Sequence, residues 1–440
     1  MAQAPPDSLL IPPPSLTLNG HLLVQTQPSR VALTPTPGHI VIENGRIAHI
    51  DLARPSPAAD GGGDDFIISP GFVDTHLHLP QFDAIGADGL ELLEWLDQVI
   101  FPAEIAWNDV DFARAMAKRV GQELLSFGTT ALAAYATSSH ASTQAAIIEL
   151  GKLGLCGHVG QVLMDRNAPD KLTVPASLAV SQAASLQSAG RIAPAVTPRF
   201  AISCSPELLS LAGRLARKTG WIIQTHLAET IPECKQVRGL FEGSSPLWSG
   251  SYTSVYANAG LLTNRSLLGH GIHLSPDELT LVRDAGSLIA HCPTANRFLS
   301  AGTMNASQLK QASVGLCLGS DIGAGPDRSM VRVARAMIDA AKQLSPSHPL
   351  AMAQLPSAGE AWWRITAENA AALGLVDTGS LTLGACADLL LLRPSKPWKS
   401  APDPLARLLY AWDDRWIRSV FAMGRIVYSG DAAASDMPTR

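Results

Sequence analysis

Two histidines one residue apart, His76 and His78, close an apolar run that starts after the turn Pro70-Gly71. Along a strand, residues i and i+2 point to the same side, so both imidazoles aim at one point beyond the strand's end. Imidazole is the commonest side-chain metal ligand, and two on one side make half of a metal site. Four later apolar runs end in the same manner. They finish as Thr225-His226-Leu227-Ala228-Glu229, Gly269-His270-Gly271, Ala290-His291-Cys292-Pro293 and Gly319-Ser320-Asp321. One buried histidine at a strand end is ordinary core chemistry. A series of them closed by a carboxylate points to one shared site.

His76, His78, His226 and Asp321 form a ligand set suited to one Zn²⁺ per chain, with room for a water. Iron suits the same donors. Such an ion lowers the pKa of a bound water toward ~7, and Asp321 can accept that water's proton. Glu229, three residues past His226, can reach the pocket without ligating and carry a proton to the substrate. His270 can hydrogen-bond the water or polarise the substrate, and His291 can brace Asp321 or a ligand from behind. Glu229, His270 and Asp321 are therefore the catalytic candidates. The fourth run, Pro194-Ala195-Val196-Thr197-Pro198-Arg199-Phe200, ends without the lysine that a two-metal centre would use. Arg199 instead offers a planar fork to a flat heterocycle, Phe200 a face, and Gln81 an amide that both donates and accepts. With His226, Glu229, His270 and Asp321, these three are the candidate substrate contacts.

Eight strand-like runs must carry these groups: Phe72–Asp74, Thr129–Ala134, Gly157–Leu163, Ala193–Pro198, Ile222–Gln224, Ser266–Gly269, Ser287–Ala290 and Leu316–Leu318. Helical periodicity separates them, as in Asp109–Leu125, Ser139–Leu153, Glu207–Thr219, Pro276–Ala285 and Ser329–Gln343. Eight βα units in about 300 residues predict an α/β fold built on a (β/α)8 TIM barrel, with its chemistry at the C-terminal ends of the strands. Leu92–Leu96 with Phe101–Glu104 reads as a short helix ended by a proline, equally suited to packing or to covering the pocket. Ser15–Val24, His39–Glu43 and Arg46–Asp51 read as strands, the last two joined by the hairpin signal Asn44-Gly45. Ala53–Asp65 reads as a loop. Asp388–Leu392 and two strands around Gly424-Arg425 repeat the texture at the far end. The expected division is residues 8–68 and 376–435 as a small β-sandwich domain built from both chain ends, with residues 69–375 as the inserted barrel.

The net charge of −5, from 33 basic and 38 acidic residues, gives no sign of a nucleic-acid or anionic-membrane partner. No run of about 18 apolar residues is present to span a membrane. Six scattered cysteines (156, 204, 234, 292, 317 and 386) form no C-x-x-C pair, and the Pro-rich start is not a signal peptide. Both observations lead to the expectation of a reducing, cytoplasmic location.

The motifs together resemble the amidohydrolase superfamily and, within it, the guanine deaminase family. The superfamily pattern is His-x-His (76–78), His226, His270 and Gly-Ser-Asp (319–321). Gln81, Gln-Thr-His-Leu-Ala-Glu (224–229) and Tyr-Thr-Ser-Val-Tyr (252–256) extend the match, and the narrower resemblance rests on Leu-Leu-Glu-Trp-Leu…Phe-Pro-Ala-Glu (92–104) and Thr-Pro-Arg-Phe (197–200). It implies a zinc-dependent homodimer that hydrolyses guanine to xanthine and ammonia in purine catabolism. The metal then falls on His76, His78, His226 and Asp321, the proton shuttle on Glu229, and the guanine contacts on Gln81, Arg199 and Phe200. Gly-Ser-Asp stands where the family usually has Gly-Thr-Asp, and Ala295-Asn296 where it tends to have Ser-Asn. The rivals are an enzyme of the same superfamily acting on another amino-heterocycle (8-oxoguanine, a pterin, a triazine or an adenosine-type base) and an idle barrel serving as a scaffold.

Overall fold

A computed structural model describes residues 15–344, 355–395 and 397–430. The Pro-rich start, and the outermost parts of the two expected terminal segments (residues 8–14 and 431–435), lie outside the described residues.

Eight parallel strands form one nearly closed barrel in chain order. They are Phe72–His78, Thr129–Tyr135, Cys156–Leu163, Arg191–Pro198, Ile223–Leu227, Ser266–His270, Leu288–His291 and Gly315–Leu318. Their near-continuous burial explains why they read as unbroken apolar runs, since helices cover the outer face. The interior away from the site is filled by small or branched side chains, among them Val73, Ala131, Ala133, Ala195, Ala290 and Cys317. Register keeps the strand ends level: His226 pairs with Gly269, and His291 with Leu318. The seam between the first and eighth strands is bridged largely by single bonds. Asp321 N–H donates to His76 O (2.8 Å) and Thr75 Oγ1 to Leu318 O (2.9 Å). Asn369, from a helix beyond the eighth strand, donates through Nδ2 to Val73 O (2.7 Å) and Leu318 O (2.8 Å) and accepts from Leu318 N–H (2.9 Å).

Segments from both chain ends build a second, mixed sheet with its own apolar core. Gly38–Glu43 and Arg46–Asp51 form the expected hairpin, with Asn44 and Gly45 both at positive φ (51° and 79°), as a tight two-residue turn demands. The expected loop Ala53–Asp65 is corrected at its end, because residues 61–65 open the strand Gly61–Pro70. That strand runs parallel to Ser15–Gln27 and antiparallel to Leu389–Leu392, so it ties the two chain ends together. Its glycines misled the reading. At Gly62 (φ 82°) a Cβ would lie 1.9 Å from Asn19 O, so the close strand approach itself requires glycine. Buried Asp388 fastens this sheet to the barrel through a two-pronged ion pair with Arg191 (2.7 and 2.8 Å). No helix among the described residues is long and apolar enough to cross a membrane.

Candidate metal centre and adjoining pocket

At the C-terminal mouth of the barrel, the strand-end groups converge. One ligand atom each from His76, His226, His270 and Asp321 lie within 4.8 Å of one another. His78 joins them, its Nε2 lying 3.1 Å from His226 Nε2 and 3.3 Å from Asp321 Oδ1. His226 Nδ1 donates to Arg199 O (2.7 Å), which fixes the tautomer and leaves the Nε2 lone pair facing the centre. Burial, then the neighbouring imidazoles of His76, His78 and His270, hold His226 well below the usual histidine range. Burial also lowers His78 to about 3. Burial opposes ionisation of Asp321, but contact with His76 and His78 outweighs it and holds the carboxylate well below its ordinary range. Neutral imidazoles around an ionised carboxylate are the donor set a divalent metal needs. Both ring nitrogens of His76 are buried with no hydrogen-bond partner, a cost that a ligated ion would relieve. The residues present therefore fit a metal.

The frame around this cluster is strained and tightly fitted. Ala228, His270 and Asp321 have positive φ (48°, 67° and 52°), a conformation few side-chain-bearing residues adopt. All three stand at or shortly after a strand end. Gly269 and Gly319 leave the space that His76 fills: a Cβ on Gly269 would sit 2.7 Å from its Cε1, and one on Gly319 2.5 Å from its Cβ. Asp74, on the first strand, accepts from Ser320 N–H (3.0 Å) and Ser320 Oγ (2.5 Å), so the serine in Gly-Ser-Asp still supplies a hydroxyl to this brace. The Tyr135 ring stacks on His78 at 4.4 Å between centroids.

Glu229 faces the cluster from the loop after the fifth strand. Its Oε2 lies 3.4 Å from His270 Nε2, and its Oε1 is buried without a partner. Burial, with the Asp321 and Glu233 carboxylates nearby, holds its carboxyl well above the usual range. The two carboxyls are thus pushed in opposite directions, an acid beside a base. Glu233, inside the capping box of the next helix, pins the Glu229 backbone through its N–H (2.7 Å). Tyr252 and Tyr256 hydroxyls donate to His226 O (3.3 and 2.8 Å), so the 252–256 motif supports the fifth strand's end.

A pocket beside the cluster is lined by Gln81, Trp95, Arg199 and Phe200 together with His226, Glu229, His270 and Asp321. Leu92–Ala106 forms one continuous helical run. A wide turn at Leu96–Ile100 lets it pass Pro102, which sits in the first turn of the next segment, so the expected break does not occur. Arg199 Nη1 donates to Glu104 Oε1 at 2.5 Å, and Gln81 Nε2 reaches the same oxygen at 3.3 Å.

Every expected site residue thus faces one cavity or its immediate wall, apart from two differences. His270 stands inside the donor cluster itself. His291, expected to brace Asp321, hydrogen-bonds neither it nor a ligand candidate among the described residues. It lines a neighbouring cavity with Asn296 and Arg297. The residue that does hold the cluster from this side is Asn296, whose Oδ1 lies 2.9 Å from His270 Nδ1. Glu104, Tyr135 and Asn296 were missed as site residues by sequence reasoning.

The amidohydrolase family model matches residues 67–427 of this chain. The chain is 34% identical over 378 residues to a guanine deaminase of Escherichia coli, covering 82% of this chain and 83% of the relative. It is 32% identical over 388 residues to the guanine deaminase of Homo sapiens, covering 81% and 82%. Its structure superposes with a TM-score of 0.87 on a guanine deaminase from C. acetobutylicum with guanine bound in its active site, at 29% identity over 94% of this chain and 100% of that one.

Proposed function

The chain belongs to the amidohydrolase family, and from that premise we propose that it is a guanine deaminase, hydrolysing guanine to xanthine and ammonia. One observation carries the reading: Glu229 and Asp321, two buried carboxyls pushed in opposite directions, line one pocket with Arg199 and Gln81.

In this reading His76, His78, His226 and Asp321 would hold one divalent metal per chain, zinc by the chemistry of the donors. When bound, the ion supplies a Lewis acid that makes water nucleophilic at neutral pH. The protein's own residues do the rest. Arg199 and Gln81 bind the polar edge of the base, and Phe200 packs against it. Asp321 takes a proton from the attacking water, whose oxygen bonds to the amino-bearing ring carbon. Glu229 gives its proton to the adjacent ring nitrogen, takes one from the hydroxyl of the tetrahedral adduct and passes it to the departing amine, and the proton held by Asp321 then returns to Glu229. The C–N bond breaks and ammonia leaves. His270, oriented by Asn296, faces Glu229 and Asp321 and steadies both. A homodimer in a reducing, cytoplasmic setting completes the proposal; the free state of all six cysteines is compatible with it.

Ammonia release and the ultraviolet change of the purine test the proposal with zinc-loaded protein, with adenine, 8-oxoguanine and a triazine alongside guanine. Conversion of guanine alone is the expected result. No turnover of guanine by folded, metal-replete protein would overturn the substrate assignment.

A further inference from the structure

We propose that Glu104 sets the polarity of the recognition wall. It is a positioning residue that holds the Arg199 donors in place and turns the Gln81 acceptor toward the substrate, so that the pocket selects a ring carbonyl beside a ring N–H. This rests on reading the cavity as the purine site.

Glu104 is 1% exposed, on the helical segment Phe101–Ala106, behind the cavity and not lining it. Its Oε1 accepts from both Arg199 Nη1 (2.5 Å) and Gln81 Nε2 (3.3 Å). A carboxylate only accepts, so the Gln81 group facing it must be the NH₂. The amide oxygen is thereby turned away from Glu104. Gln81 lines the cavity, and its Oε1 is the group left to face it. Without Glu104, nothing in this contact would decide which way the amide points. The same carboxylate anchors the Arg199 guanidinium from behind, while the Phe101 ring lies 5.7 Å from the guanidinium carbon. The wall therefore presents a donor next to an acceptor. A lactam edge, as in guanine or hypoxanthine, matches it. An amidine edge, with an amino group beside a bare ring nitrogen as in adenine, sets donor against donor and acceptor against acceptor. Such mismatches leave buried polar groups unpaired, and sites built on hydrogen bonds reject ligands strongly for that reason.

The test measures binding of hypoxanthine and of adenine to zinc-loaded wild type, Glu104→Gln and Gln81→Leu, together with guanine kinetics. In wild type, hypoxanthine should bind at least about tenfold more tightly than adenine. In both variants the preference should shrink to within about threefold, with KM for guanine rising by a larger factor than kcat falls. Gln81→Leu leaves the buried Arg199–Glu104 pair intact, so it decides the matter if Glu104→Gln fails to fold. A folded, metal-loaded variant that keeps the full preference overturns the proposal, as does a wild type that deaminates guanine without showing it. Failure of the underlying reading looks different: wild type then turns over no guanine, while ligand binding still reports on Glu104.

Discussion

Asn296 Oδ1 lies 2.9 Å from His270 Nδ1, and that contact decides which nitrogen of the ring faces the chemistry. With Nδ1–H given to the amide oxygen, Nε2 is left toward Glu229 (3.4 Å) and Asp321 (3.8 Å). Asn296→Ala should free the ring and lower kcat/KM for guanine by about 10–100-fold while leaving metal content unchanged. Steady-state kinetics with metal analysis on the same sample checks this; loss of metal would instead make Asn296 part of the ion's support.

Glu229 is the group whose proton the proposed reaction moves. Glu229→Gln keeps the shape and removes the transferable proton, so turnover should fall by about 10²–10⁴-fold with metal retained and KM little changed. Undiminished turnover in that variant would remove the shuttle role.

Gly269 leaves the space occupied by His76. Gly269→Ala places a methyl 2.7 Å from the His76 ring, which must shift. Zinc affinity, read by competition with a chelator, should weaken by about 10–100-fold. A bound ion at a thousandfold above its Kd stabilises a protein by about 4 kcal/mol, so the thermal shift produced by zinc should shrink in parallel. An unaltered zinc affinity would show that the ring tolerates displacement and does not ligate.

His291 gives a pH test away from the reacting atoms. Burial pushes its imidazole down to about 3, against 6.5 when exposed. Above pH 6.5 the ring is neutral whether the chain is folded or not. As pH falls below 6.5, the unfolded chain takes up a proton that the folded one does not, so folded-state stability is lost toward pH 3. Relative to His291→Asn, the wild type should lose about 1.4 kcal/mol between pH 7.5 and 5.5. Urea titrations of both metal-free proteins measure the difference, and a pH-independent difference would mean that His291 protonates in place.

The histidines and Asp321 were legible because their signal is local. A two-residue period at one strand end, repeated at the ends of later strands, needs no knowledge of the packing beyond the barrel itself. Gln81 and Arg199 were legible as chemistry, but their orientation was not. It depends on Glu104, which lies 95 residues before Arg199 in sequence and inside a short helix that read equally as packing or as a cover of the pocket. Asn296 hid for the same reason, being 26 residues from the histidine it holds. His291 had the right type at the right strand end, yet it lines the neighbouring cavity and hydrogen-bonds no ligand candidate among the described residues. Residues 61–65 show the converse failure: glycine and aspartate spell a turn locally, and only the approach of Asn19 makes them a strand.

The Asn369 bridge governs the order in which the molecule can be completed. All eight strands lie before residue 369, but its amide is what joins Val73 to Leu318 across the seam. Asp321 N–H meets His76 O across the same gap, so ligand candidates from opposite ends of the barrel are brought level by it. During synthesis, the last strand of the barrel therefore emerges before the bolt that locks it to the first. The strand Gly61–Pro70 waits longer still, until Leu389–Leu392 is made. A ribosome that stalls after Leu318 leaves a chain with every strand of the barrel and most of its donors, yet without the Asn369 bolt and the Asp321 bond across the seam.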